Sequence, residues 1–519
     1  MPRSFRDGVD YKTTPKCIKR QNLQYTCSCY NINMIRRKRS GVKIFLVGLA
    51  IFAAMFAVAF FGIQFFTKTG IFRIPGVVYY DESLNADELA KLNVIFTEDI
   101  DLDKDVKISA KEYSTKPELS EGEFLEEIFV PVTDFYEVKT DTNEFDSGDY
   151  EMIKVEDLNF TKKLLSVDGK YYLDDFKDGA TFRVISFESE KYQEEIAPLV
   201  ANAFAKDFPE EDSVLTMAQT GVTALSRGMN RKLVEVGGDA AYFAEGIKDY
   251  LSKFDLTHTS NESSFSGFAN DRNICSDTRF IDTLTAIGLD IVELTGNHNQ
   301  DCGDDAAAET IDIYEQNGIK MVGGGKTADD AAVPLEISEK DNSITLLAYN
   351  LSTGGATYDD TPGANQYYEE DAVAKITDAK NRGDLVIVDI QYYECSAYVS
   401  EEEDTTCDYA DSSAGDQIGF FRHLIDLGAD IVVGTSAHQP QTFELYGNGA
   451  IYYGLGNLFF DQVWWPGTTR SLVLEHYFYK GKLLQTRIRP TAYDNSMQTK
   501  LLDKETAEWF LARLIKVRP

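Results

Sequence analysis

Positive charge is what this sequence lacks. Its 519 residues hold 51 Lys and Arg against 85 Asp and Glu, a net charge of −34. That balance argues against nucleic-acid binding, because phosphate contacts are made by Lys and Arg. The cations present are unevenly placed. Residues 1–43 carry eleven of them against only Asp7 and Asp10, a net of +9, so the remainder of the chain carries −43. Composition is otherwise that of a folded chain, 43% hydrophobic and 12% aromatic, too long for one compact domain.

Residues 44–66 have no charge at all. The run IFLVGLAIFAAMFAVAFFGIQFF is 23 residues long and as a helix spans about 34 Å, enough to cross a hydrocarbon core. A cleaved signal peptide is the alternative, but the apolar run is too long for one and no A-x-A-like cleavage site follows it. Arg36, Arg37, Lys38, Arg39 and Lys43 abut its N-terminal side, and the positive-inside rule then puts residues 1–43 in the cytoplasm. The expectation is a single-pass cell-membrane protein with a basic cytoplasmic tail (1–43), a transmembrane signal-anchor helix (44–66) and its bulk extracytoplasmic.

Cysteine is scarce and divides the same way. Cys17, Cys27 and Cys29 precede the apolar run and are expected as reduced thiols. Cys275, Cys302, Cys395 and Cys407 follow it, an even number in a disulfide-permissive compartment. Of three possible connectivities the favoured one joins Cys275 to Cys302 and Cys395 to Cys407. Four free thiols are the alternative.

Residues 67–212 read as a small membrane-proximal α+β domain, with β-rich runs at 127–132 and 181–188, a helix over 191–206, and no motif that carries chemistry. From residue 213 strands and helices alternate. Strands are expected at 213–219, 256–259, 290–294, 319–322, 385–390, 430–433 and 450–453, and helices over 240–254, 277–287, 306–316 and 416–427. Gly288, Gly318 and Gly428 stand just past three of those helices, as C-terminal caps do. This pattern predicts an α/β layered domain over 213–500. A hairpin turning at Lys480-Gly481-Lys482 and a C-terminal helix within 501–519 close the chain.

In such domains function collects in loops beyond the C-terminal ends of the strands. There the chain keeps Asn261-Glu262, Asn297-His298 with Asp301, Gln391 with Glu394, Ser436 with His438, and Asn457 with Asp461. A Gly-Asn-His loop after a buried strand suits a metal-assisted displacement, with the Asn oxygen as ligand and the imidazole over a phosphate oxygen. As a set, the segments 294–303, 428–441 and 451–461 resemble the CapA family, capsule or poly-γ-glutamate biosynthesis proteins. The resemblance covers roughly 213–495. It implies a calcineurin-like metallophosphoesterase-type layered α/β sandwich.

The departures from that family pattern are informative. Gly221-Val222-Thr223 stands where the family has Gly-Asp, Gln391-Tyr392-Tyr393 where it has His-Trp-Gly, and Ser436 replaces the first His of Gly-x-His-x-His. The reading therefore takes His298, Asn297, Asp301 and His438 as catalytic candidates and Asn261, Gln391, Glu394, Asn457 and Asp461 as substrate-binding ones. Glu262, Asn297 and His438 are the candidate metal ligands, for one divalent ion (manganese, zinc or magnesium) or none. The bland reading of each loop carboxylate is a helix cap, and His258, His423 and His476 read as structural. Trp464-Trp465-Pro466 reads as a cleft rim or a core edge. Three functions survive: a component of extracellular anionic-polymer synthesis or export, a divalent-metal-dependent phosphoesterase, and a non-catalytic cell-wall or capsule-binding module. The implied partners are the membrane, other membrane components of a polymer-synthesis complex, and an anionic polymer or cell-wall substrate.

Overall fold

The computed structural model describes residues 78–96, 106–142, 150–189, 193–204, 206–351, 354–357, 360–392, 416–464 and 466–519. The basic tail, the 44–66 span, Glu394 and the Cys395–Cys407 pair lie outside them. No helix among the described residues is long and apolar enough to cross a membrane. Residues Pro75–Pro519 form one compact unit.

Its N-terminal part holds a six-stranded sheet with Val78–Tyr80, Val106–Tyr113, Thr181–Glu188, Glu123–Asp134 and Glu151–Lys154 in that spatial order, and Lys162–Leu164 pairing with Glu123–Asp134. Helices Ala86–Ile95 and Gln193–Phe204 bury Leu92, Ile196, Val200 and Phe204 against Ile108, Ile185 and Phe187. The expected strands and helix of this α+β region are all present. Between them Tyr172–Asp175 is a short helix buried through Tyr172 and Leu173.

The rest is a sandwich of two sheets with helices outside. One sheet runs Lys320–Val322, Ile291–Glu293, Leu256–Asn261, Val214–Thr223, Arg470–Tyr479, Lys482–Ala492, Lys500–Leu501, with Asn457–Phe459 added beside Val214–Thr223. The other runs Leu335–Glu339, Asn342–Asn350, Leu385–Gln391, Ile431–Thr435, Gly449–Tyr452, Phe443–Tyr446. The central strands of both are parallel, so their C-terminal ends share one edge. The expected layered α/β architecture is what forms. The Leu335–Asn350 hairpin and the helix Glu369–Arg382 are additions to the expected elements. Residues 240–254 are broken rather than one helix, a 3-10 turn at Ala240–Ala244 followed by Lys248–Leu251.

Alternation along the strands explains the layers. Val386, Val388 and Ile390 face the helices Glu369–Arg382 and Gln417–Leu427, beside Ile376, Phe421 and Leu424. Leu385 and Ile387 face inward, with Leu215, Met217, Leu256, Ile344 and Ile431. On the far face Ala218, Val292 and Val473 pack under Met229, Leu233, Phe280, Leu284 and Tyr314. At the hairpin, Lys480 (φ 49°) and Gly481 (φ 72°) give the two positive-φ residues of a type I′ turn.

Continued two residues further, the inward positions turn polar. Met217 is followed by Gln219, Leu256 by His258, Ile387 by Asp389, Ile291 by Glu293 and Leu474 by His476, all fully buried. Gln219 Nε2 donates to Asp389 Oδ1 at 2.7 Å. His258 Nε2 lies 3.0 Å from Asp389 Oδ2. His476 completes the chain, its Nε2 3.1 Å from Gln219 Oε1 and its Nδ1 2.9 Å from Thr486 Oγ1. Since the Gln219 amide nitrogen serves Asp389, its oxygen accepts from His476 Nε2–H, and Nδ1 accepts from the Thr486 hydroxyl. The expectation that His258 and His476 are structural fits these places.

Two of these groups titrate in opposite senses. Burial holds His476 neutral and lowers its pKa to about 3, helped by His258. Its contribution to stability is therefore complete above the unfolded value near 6.5 and lost as pH falls toward 3, at up to about 1.4 kcal/mol per pH unit. Glu293 is pushed up to about 7, by burial first and by Asp389 second. Its contribution is complete below the unfolded value near 4.3 and lost as pH rises through 7. Urea midpoints between pH 4 and 8 should therefore show wild type losing ground to His476→Gln as pH falls from 6 to 4. Against Glu293→Gln, wild type should lose ground as pH rises from 5 to 7.

Candidate functional site

The cleft forms where the parallel strands end. Val214–Thr223 and Leu256–Asn261 pair to their last residues, and Glu262 N continues that pairing by donating to Thr223 O at 3.0 Å. The loop after Ile291–Glu293 crosses directly over this corner. A Cβ on Gly296 would sit 2.6 Å from Glu262 Cα and 2.8 Å from Asn261 O, so only glycine lets Asn297 pass. Cys275 and Cys302 are disulfide-bonded, with Cα atoms 5.9 Å apart, as expected. The bridge ties the end of this loop to the segment following Glu262.

Glu262 and His438 form the centre. Both are buried, and His438 Nε2 lies 3.6 Å from Glu262 Oε2. Ser436 holds the other carboxylate oxygen, donating to Glu262 Oε1 at 2.6 Å. It does so from a left-handed backbone (φ 72°), a strained conformation for a non-glycine residue. His438 Nδ1 is 2.8 Å from Asn457 Oδ1, and the Asn457 amide nitrogen donates to Thr468 O at 3.0 Å. Asn457 therefore presents an acceptor and His438 donates Nδ1–H to it, while Nε2 faces a carboxylate oxygen that has no hydrogen-bond partner of its own. A buried carboxylate oxygen facing an imidazole nitrogen calls for a positive charge between them, which a proton on Nε2 or a bound cation supplies.

The other candidates take several positions. Gln391 Nε2 donates to Asn297 Oδ1 at 3.1 Å, joining the two sheets across the cleft and leaving the Asn297 amide to act as a donor. His298 and Asp301 lie on the more open rim and pair with each other, Nδ1 to Oδ2 at 2.9 Å. Asn261 is buried, its Nδ2 donating to Ser263 O at 2.9 Å within its own turn. Asp461 receives Gly228 N at 2.9 Å and Arg227 Nη2 at 2.6 Å, which makes it the cap of the helix Gly228–Glu235. Trp464 is exposed at 59% and is no core edge. His423 lies on its helix with Nε2 2.7 Å from Glu369 Oε1.

Arg227 is the residue that sequence reasoning misses. Its guanidinium stacks 4.4 Å above the Phe460 ring, whose centroid is 5.1 Å from that of His438. Its Nε is buried without a hydrogen-bond partner, and its backbone is left-handed (φ 49°). The signal is present in Ser226-Arg227-Gly228, the first cation past the end of Val214–Thr223 in a chain short of cations.

Among the described residues no group of three or more His, Cys, Asp or Glu is placed to hold a metal ion. The Glu262–His438 pair is a smaller donor set. Its 3.6 Å separation is close to the roughly 3.4 Å expected between two ligands of one tetrahedral ion with bonds of about 2.1 Å.

Comparison with known proteins places this cleft in a family context. Residues 216–462 match the model of the bacterial capsule synthesis protein PGA_cap. The PGA biosynthesis protein CapA of Bacillus subtilis is 23% identical over 273 residues, 51% of this chain and 68% of its own length. The capsule biosynthesis protein CapA of Bacillus anthracis is 23% identical over 282 residues, 51% of this chain and 64% of its own. Among solved structures, a Staphylococcus aureus protein in complex with alpha-ketoglutarate aligns over 58% of each chain at 10% identity, with a TM-score of 0.33. A Thermus thermophilus protein aligns over 52% of this chain and 100% of its own at 9% identity, with a TM-score of 0.29. Superpositions that loose carry no argument.

The tautomer assignment is testable directly. In ¹⁵N-resolved NMR above the imidazole transition, the His438 ring should show its proton on Nδ1. Asn457→Leu should abolish that preference, and Ser436→Ala should leave it intact.

Proposed function

Residues 216–462 belong to the bacterial capsule synthesis PGA_cap family, and from that premise we propose that this chain acts in the synthesis or export of a poly-γ-glutamate-type anionic polymer outside the cell. In this proposal residues 44–66 anchor the chain in the cell membrane, the sandwich is of the calcineurin-like metallophosphoesterase type, and the partners are other membrane components of the synthesis complex. The observation that carries the site's role is the Glu262–His438 pair, whose Oε2 and Nε2 face each other at 3.6 Å in a buried cleft, with Oε2 free of any other partner.

One divalent cation fits that position. Glu262 and His438 would hold it, with the Asn297 loop beside them, and when bound it would polarise a carbonyl or phosphoryl oxygen as a Lewis acid. The chain's own residues prepare the place. Asn457 fixes the His438 tautomer, so the free lone pair points at the site. Ser436 fixes the rotamer of Glu262. Gln391 turns the Asn297 amide so that its N–H groups remain available to an acceptor. Arg227, flat on Phe460 and paired through Nη2 with Asp461, offers its remaining guanidinium N–H groups to an anionic substrate, and a guanidinium matches carboxylate and phosphate geometry alike. The surrounding surface is strongly acidic and repels a polyanion as a whole, so capture is confined to this cleft.

The test is polymer output in a strain whose only copy of this chain carries Glu262→Gln with His438→Gln, compared with wild type at equal protein level. At least a tenfold fall is expected, together with loss of about one equivalent of bound manganese or zinc from the purified full chain. Undiminished polymer would overturn the role of the cleft. Undiminished polymer with metal lost would show that the ion serves another purpose.

A further inference from the structure

A second enclosed space lies apart from the cleft, between the small sheet, the strand Lys482–Ala492 and the C-terminal helix Lys504–Lys516. It is a cavity of about 240 Å³, larger than the roughly 150 Å³ that suffices to bind benzene in an apolar core. Its walls are mainly apolar, with Phe135, Leu164, Phe443, Ile488, Leu511 and Ile515 among them. Its mouth is fastened from both sides. Thr140 Oγ1 donates to Glu508 Oε1 at 3.1 Å, and Lys504 Nζ lies 3.2 Å from Asp141 Oδ2.

Two polar groups on its wall are incompletely satisfied. The Tyr171 hydroxyl is buried with no hydrogen-bond partner, although a buried phenol nearly always finds one. Lys163 donates to the carbonyls of Glu137 and Val138 and makes no ion pair among the described residues. Burial lowers its pKa to about 8, against the raising effect of Glu508 and Glu137 nearby. The other cations on the wall, Arg487, Arg489 and Lys504, each face a carboxylate, Arg489 the most loosely, with Nε 4.0 Å from Glu475 Oε1. Arg487 is paired with Glu475 and with Asp174 at 3.0 Å, and Lys504 with Asp141. What remains is the Lys163 ammonium on the wall of an apolar chamber, with the Tyr171 hydroxyl covered behind that wall.

We propose that this cavity binds an amphiphile with a single carboxylate head and a short apolar body, of the class of a medium-chain acyl carboxylate, with Lys163 donating to the head and the Phe135–Phe443–Leu511 wall enclosing the chain. The site is independent of the cleft and of the polymer role. Carboxylates at the mouth, Asp141 and Glu508, disfavour a second negative charge, which is why a monoanion is the ligand and a polyanion is not.

The probe is decanoate, titrated calorimetrically into the full chain held in lipid nanodiscs, with protein-free nanodiscs subtracted. Saturable one-to-one binding in the micromolar range is expected. Lys163→Met should weaken it at least tenfold, and Ala507→Phe, which fills the cavity, should abolish it. On the wild type, 1-decanol should bind at least tenfold more weakly than decanoate, a comparison that needs no variant to fold. Absence of saturable decanoate binding, equal affinity for decanol, or unchanged binding in both variants would each overturn the proposal.

Discussion

Asp389 is the residue on which the two sheets meet in the polar part of the core. It stands at an inward position of Leu385–Gln391, where Leu385 and Ile387 precede it in the apolar layer, and it reaches Gln219 and His258 on two neighbouring strands of the opposite sheet. A buried carboxylate is costly unless it is paired and hydrogen-bonded. Pairing of this kind fixes which residue of one sheet faces which residue of the other, a constraint that interchangeable Leu, Ile and Val contacts do not impose. The strands so registered end two to four residues later, near Glu262, Gln391 and Asn297. The geometry of the cleft is thus inherited from a polar layer one step beneath it.

That arrangement accounts for the division of labour between floor and rim. On the floor, hydrogen bonds are directional and mutually exclusive. Thr468 takes the Asn457 amide, Asn457 takes the His438 proton, and Ser436 takes one oxygen of Glu262. At the rim, His298 and Asp301 satisfy each other and remain partly open. A side chain exchanged on the floor breaks a chain of assigned donors, whereas one exchanged at the rim removes a single pair. The strain at Ser436 and Arg227 sits where this order is enforced.

Much of this is legible in the sequence, and the rest is hidden for identifiable reasons. Buried parallel strands followed by Gly-capped helices announce the layers, and polar clusters after each strand announce the shared edge. The Gly481 turn follows from local pattern alone, and the Cys275–Cys302 bridge is the favoured choice among three connectivities. The Glu369–Arg382 helix escapes notice because its solvent face is dense in Glu, Asp, Lys and Arg and its buried stripe is only Ala372, Ile376 and Ala379. Arg227 escapes it because residues 221–223 draw attention to the carboxylate they lack, four residues short of the cation that follows. Ser436 reads as a lost ligand; its contact with Glu262 joins two loops 174 residues apart and has no local signature. Asp461 shows the opposite limit, since a loop carboxylate and a cap for a helix remote in sequence look alike until the partners are seen.

Whether the inter-sheet polar contact is a specific coupling, rather than a pair of tolerated buried groups, is decided most directly by a double-mutant cycle. It compares Gln219→Leu, Asp389→Leu and the double variant by urea unfolding at pH 7. A specific coupling makes the two substitutions non-additive by about 1–3 kcal/mol, with the double variant closer to wild type than the sum of the single losses. Additivity within about 0.5 kcal/mol would contradict it, and would mean that the register of the sheets is set by the apolar layer alone.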